Sequence, residues 1–268
     1  MLQFMFVRSS ICVTSFCLVT LPALVMVVGC QPSKPLQSSA PVVETWCIIV
    51  TPVTTTENTK SLPSSLTILD YSQIQSDVTT IGWLVPVAIR KVMVTASDRE
   101  ETLEVWGTTP DFLLLYLRTA RIPEFEGLKE GRFLTTSEMV KREKVAVLGS
   151  SAAARLFPDS SAVGKTVLIH NTELTVTGVL TDEEKASETR DHVYVDTRWL
   201  LDQDSPAPTS DSSAKVDAMS YELSQLWIRV GNADPKPTWN MVEQILQKNH
   251  PEGRYSASML PADQVSER

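Results

Sequence analysis

The stretch Lys144-Val145-Ala146-Val147-Leu148-Gly149-Ser150-Ser151-Ala152-Ala153-Ala154-Arg155-Leu156-Phe157-Pro158 reads as a buried strand that turns directly into a short helix. Residues 144–149 are a short continuous apolar run, the pattern of a strand covered on both faces. Ser150 or Ser151 then offers an oxygen to the open N–H groups of a helix start, and Pro158 with Asp159 stops the helix. Downstream, 163–169 and 173–180 read as two strands joined by a tight turn at His170-Asn171-Thr172, followed by a further strand at 192–195. Upstream, 127–133 is a turn-rich approach. Before it, 102–107 is a strand in which Leu103, Val105 and Gly107 alternate with Glu104 and Trp106. Residues 202–217, rich in Ser, Pro and Asp, read as a mobile loop.

A strand–helix–strand unit stands on either side of this β-rich middle. Near the start, 46–53 is β-branched and apolar, 54–65 is a polar loop, and Thr67 caps a helix bearing Ile68, Leu69, Ile74 and Val78. Strand character returns over 80–95. Near the end, 223–230 is a strand, Thr238 starts a helix with Met241, Val242, Ile245 and Leu246 on one face, and 255–260 is a strand. That order predicts an α+β fold: a split βαβ lobe built from the two ends, with a β-rich lobe inserted in it.

Residues 1–10 carry one positive charge, Arg8, and no acidic residue, and 11–28 are apolar or small apart from a few polar positions. This is a secretory signal pattern. It closes on Val27-Val28-Gly29-Cys30, which resembles the lipobox of bacterial lipoproteins, where small residues precede the cut and the cysteine sulfur takes the diacylglyceryl group. The expectation is a signal peptide over 1–29, lipidation at Cys30, and a Pro/Ser-rich tether over 30–41. Acyl chains contribute about 0.8 kcal/mol per buried methylene, so two or three make membrane attachment stable. An uncleaved signal anchor and a plain secreted protein stay open as alternatives, since about 18 apolar residues just span a bilayer. Gln31 rather than Asp after the cysteine implies no inner-membrane retention signal. The expected location is the bacterial cell envelope, facing the periplasm or the exterior.

The chain has 268 residues, a hydrophobic fraction of 43% and a formal charge of −8, with no basic run longer than two. Nucleic-acid binding is not expected of such a surface. Of the four cysteines, Cys12 and Cys17 leave with the signal and Cys30 is acylated, so Cys47 reads as a buried apolar strand residue. Catalytic chemistry is hard to place. His170, His192 and His250 have no metal-ligand neighbour at helical spacing. Gly149-Ser150-Ser151 lacks the second glycine of a nucleophile elbow. Residues 159–166 end in Gly164-Lys165-Thr166 but begin at Asp159, where a phosphate loop needs glycine, and a strand follows where a helix is required. Asp182-Glu183-Glu184 lacks the alternating ligands of a calcium loop. No enzyme, metal or cofactor is expected.

Gly107-Thr108-Thr109-Pro110-Asp111-Phe112 and Glu130-Gly131-Arg132-Phe133 resemble the Gly-Thr-x-Pro and Gly-Arg-x-Phe signatures of the MacB-like periplasmic core domain of ABC transporter permeases. Residues 145–149, 153–158, 163–167 and 174–180 are similar to its following strands and helix, in order, and fainter similarity runs from 43 to 262. The resemblance implies a two-lobed core domain over 42–268. A lobe related to the porter subdomains of larger efflux pumps would take 42–106 and 220–262, with the inserted lobe at 107–219. The glycines at 107, 131, 149, 164 and 178 then specify fold, where close packing or backbone angles exclude a side chain.

Permeases of that family carry a membrane helix before this domain and three after it. Here a lipobox stands in place of the first, and the chain stops at Arg268. The expectation is a non-enzymatic lipoprotein, held to the membrane by its lipid, that serves as an accessory or partner-docking module of an export or lipoprotein-transport system. Its partner would be an ABC permease or periplasmic adaptor. A lipoprotein binding a lipid or peptide in the cleft between lobes, and an orphan envelope scaffold, are the alternatives. Phe125, Trp199 and Leu200 are candidates for an exposed docking surface, with core packing the other reading of each.

Overall fold

The computed structural model describes residues 45–53, 65–119, 127–181, 191–204, 221–231 and 234–261. Residues 42–268 form one compact unit. Its first half-sheet is antiparallel and contains β1 (Trp46–Pro52), the N-terminal half of β2 (Ile81–Ala96), β9 (Gln225–Val230) and β10 (Tyr255–Pro261), in the order β10-β1-β9-β2. Helix α1 (Ile68–Asp77) links β1 to β2, and α6 (Pro235–Asn249) links β9 to β10. The resulting βαβ…βαβ unit is the split arrangement read from the sequence.

The helix starts explain themselves. Thr67 caps α1 in a full capping box: its hydroxyl accepts from the Asp70 N–H, and the Asp70 carboxylate accepts from the Thr67 N–H. For α6 the cap is Asp234, with Pro235 at the first helical position, so the helix begins one turn earlier than the expected Thr238. Proline there loses nothing, because its missing N–H would have had no helical partner.

The middle of the chain closes on itself. From residue 88 onward β2 pairs with β3 (Arg99–Thr108), which pairs in parallel with β8 (His192–Asp196). β8 meets β5 (Val145–Leu148), β5 runs parallel to β7 (Thr172–Leu180), and β7 pairs with β6 (Thr166–Ile169). β6 then pairs with Val94 and Thr95 of β2, which completes a six-stranded ring. A closed ring has no open edge along its circumference. Its inward residues alternate along each strand: Leu103 and Val105, Val193 and Val195, Ala146 and Leu148, Leu174 and Val176, Val167 and Ile169 are all buried. The barrel draws on strands from both sides of the 106/107 boundary expected between the lobes, because β2 belongs to both sheets.

Short helices dress this ring. They are α2 (Asp111–Thr119), α3 (Thr136–Lys141), α4 (Ser150–Leu156) and α5 (Thr197–Asp204), and β4 (Leu128–Gly131) adds to the edge of β7. Gly149 is the N-cap of α4 and supplies no side chain, so the expected serine cap is replaced by Ser150 as the first helical residue. One core fills the barrel and the space under α1 and α6. A second lies on the opposite face, where Phe112, Leu115 and Tyr116 of α2 cover Cys47, Val85, Val87 and Trp227 of the half-sheet and Tyr194 on the barrel's outside. The Phe112 ring sits 5.4 Å from Trp227 and 5.6 Å from Tyr194. The central strands of the half-sheet, β1 and β9, are therefore covered on both faces, which is why they read as apolar runs.

Candidate functional site

Among the described residues, α1, α3 and α5 contribute to the lining of a cleft of about 530 Å³. Its apolar lining comes from Ile68, Tyr71, Pro86, Met139, Leu201 and Tyr221. The elements that place it are held by local chemistry. Thr135 and Glu138 form a second capping box at the start of α3, and Arg142 ends that helix in the left-handed conformation, φ 56°. Gly107 lets α5 lie against β3: a Cβ there would come within 3.0 Å of the Leu200 side chain and the Thr197 Cα.

The polar groups of the cleft divide into two sets. The carboxylates are already engaged. Asp196, at the end of β8, is buried and accepts from the Arg198 N–H at 2.9 Å, as a cap for α5. Burial raises its pKa above the ordinary aspartate value, with the backbone N–H groups and Arg198 opposing the rise. Asp202 accepts a hydrogen bond of 3.0 Å from the Tyr221 hydroxyl, which raises the tyrosine's pKa. The donors are open. Arg142 and Arg198 are exposed, and among the described residues neither guanidinium is in an ion pair. Thr109 and Thr197 line the cleft, and the Oγ1 of each is buried without a hydrogen-bond partner.

The residues singled out by sequence do not converge on this place. Cys30 and Phe125 lie outside the described residues, as does Asp182-Glu183-Glu184. Leu200 is fully buried, 0% exposed, because α5 packs it onto the barrel against Gly107. It is a core residue, not a docking residue. Trp199 is half-buried and packs against the same core. Cys47 is a free thiol inside β1, its pKa pushed up to about 12 by burial.

The histidines are held in separate settings. His170 and Asn171 both have positive φ, 49° and 59°, and make the two-residue turn between β6 and β7. His192 stacks on Trp106 with ring centroids 4.6 Å apart, and burial lowers its pKa despite the nearby Glu104. His250, at the end of α6, bonds the Asp70 carboxylate at 2.9 Å. Gly164 turns the chain into β6, a strand, so no helix N-terminus follows Gly164-Lys165-Thr166. Among the described residues no group of three His, Cys, Asp or Glu side chains could hold a metal, and no helix is long and apolar enough to cross a membrane.

The cleft residues escaped sequence reading because they come from separate segments. One signal was available: Asp196-Thr197 after an apolar strand is a helix-cap signature.

The profile of the family described as the MacB-like periplasmic core domain matches residues 35–244. The macrolide export ATP-binding/permease protein MacB of Bdellovibrio bacteriovorus is 27% identical over 117 residues, 44% of this chain and 17% of that protein. The chain thus spans under a fifth of the length of the curated relative it matches. The periplasmic region of MacB from Actinobacillus actinomycetemcomitans superposes with a TM-score of 0.60 at 16% identity, covering 82% of this chain and 91% of that one. The extracellular domain of the noncanonic ABC-type transporter YknZ from Gram-positive bacteria gives 0.58 at 17% identity, covering 79% and 99%. At such identities the likeness to solved structures speaks for the fold.

Proposed function

The chain belongs to the family of MacB-like periplasmic core domains, and on that premise we propose that it is a non-enzymatic envelope lipoprotein, acylated at Cys30, that docks onto an ABC-type permease or its periplasmic adaptor. The observation that carries the reading is the extent of the family match, residues 35–244, which takes in nearly the whole folded body. A domain of a transporter family is a transport-associated module, and its work is contact and transmission of motion. The scattered settings of the three histidines and the engaged state of the cleft carboxylates favour a module without catalysis. The lipobox at 27–30 and the polar tether after it support attachment through lipid.

The test is crosslinking in cells followed by affinity purification of the full-length protein, with Cys30→Ala in parallel. The expected result is recovery of an ABC permease or a periplasmic adaptor with the wild type, and its loss with the variant that cannot be acylated. Recovery of the bait alone from both would overturn the docking reading. Unchanged membrane fractionation of Cys30→Ala would overturn acylation as the anchor.

A further inference from the structure

We propose that the cleft between α1, α3 and α5 is a binding site for an amphipathic anion, a ligand with an apolar body and one oxyanion head. The proposal does not depend on the docking reading, since it concerns the interior of the cleft and can be tested on the protein alone.

The volume is the first observation. About 530 Å³ lies in the range of small-molecule sites, which are concave and mostly apolar with a few placed polar groups. Ile68, Pro86, Met139 and Leu201 supply the apolar bed, and Val140 at the rim is 78% exposed, one of few large apolar side chains so open among the described residues. An apolar body entering here would cover surface that water now wets.

The head group follows from which polar atoms have partners. Asp202 is held by Tyr221, and Asp196 by the first N–H groups of α5. Each of these carboxylates thus has a donor of its own within the wall. What remains are donors: two guanidinium groups, at Arg142 and Arg198, and the hydroxyls of Thr109 and Thr197. Thr197 is only 3% exposed, and a buried hydroxyl without a partner is a cost that a native fold carries for a reason. A carboxylate or a phosphate ester presents acceptor oxygens, the complement of guanidinium and hydroxyl donors. A cationic or purely apolar ligand would leave them unmatched.

The test uses the full-length protein in lipid nanodiscs, with empty nanodiscs as the partition control. Diazirine-bearing dodecyl phosphate, dodecanoate and neutral dodecanol are photolysed in turn, and the labelled peptides are read by mass spectrometry. The expected result is saturable labelling of peptides containing Ile68–Asp77 or Thr136–Lys141 by one or both anions. Arg142→Asn with Arg198→Gln should lower it by about tenfold, the loss expected when charge-assisted hydrogen bonds go. Asparagine is chosen because it tolerates the left-handed backbone at 142.

Stronger competition by unlabelled dodecyl phosphate identifies a phosphate ester as the head, and stronger competition by dodecanoate a fatty carboxylate; either supports the site. Thr197→Val should weaken labelling while raising the melting temperature, because it removes the unpaired hydroxyl without changing shape. That variant keeps the test decisive if the arginine variant folds poorly. Equal labelling by dodecanol, no saturable labelling of these peptides, or labelling untouched by both variants would overturn the proposal.

Discussion

Asp70 shows how much of this fold rests on single buried polar groups. It is 1% exposed, and its two oxygens take the Thr67 N–H, the Thr67 hydroxyl, the Asn249 side-chain amide and His250 Nε2, all within 2.9 Å. One carboxylate therefore caps α1 and ties it to the end of α6. Asp70→Ala leaves the buried Thr67 N–H and hydroxyl without an acceptor and cuts the tie to α6, and should cost about 3 kcal/mol, read as a lower urea midpoint. Glu138 gives a pH-dependent counterpart. Burial alone would raise its pKa, but Arg132 at 2.5 Å and the Thr135 N–H and hydroxyl outweigh that and hold it below its ordinary 4.5. A carboxylate depressed in the folded state contributes stability above its unfolded pKa and loses it as pH falls through the folded one. Glu138→Gln should therefore be less stable than wild type at neutral pH, with the gap closing below 4.5 in acid melting curves.

Among elements, the meeting of β4 and β7 is the least forgiving. Gly131 and Gly178 face each other in register, and a Cβ on either would stand 2.2 Å from a backbone oxygen, that of Thr177 or of Arg132. Gly131 also has φ +73°. Gly178→Ala should cost about 3 kcal/mol, measured by urea unfolding, because backbone cannot yield as a side chain can. Both glycines were conspicuous in the sequence, as were the strands, whose apolar runs and alternation reflect burial on two faces or one. The helices of the middle were less legible. α3 follows Thr135-Thr136-Ser137-Glu138, a capping-box spacing, yet its apolar stretch is too short to show a helical period. α2 holds an unbroken apolar run at 112–117, which shows no helical period and reads as well as a buried strand. α5 lies at the start of a Ser-, Pro- and Asp-rich stretch of sequence that masks its end, and Pro235 and Pro237 disguise the start of α6 as linker.

At the scale of the molecule, what the sequence could not convey is closure. The ring needs β3 beside β8 and β2 beside β6, pairings between distant residues that no local pattern records. The cleft was hidden for the same reason, since Ile68, Arg142 and Thr197 meet only once the half-sheet and the barrel are built. Sharing β2 also makes the two sheets interdependent. Equilibrium unfolding followed by tryptophan fluorescence and by far-ultraviolet circular dichroism should give coincident single transitions, because Trp227 on the half-sheet and Trp106 on the barrel report one cooperative body. Separated midpoints would show instead that the halves melt apart.

β2 has a mechanical meaning as well. Its 16 residues, at about 3.3 Å each, make a rod of up to about 50 Å, bonded to β9 along its first half and to β3 along its second. A pull along that rod loads many backbone hydrogen bonds in parallel, so they must shear together, where a hairpin pulled open at its end unzips one bond at a time. Tension entering at one sheet is handed to the other with little stretch between them, which makes the strand a tendon rather than a hinge.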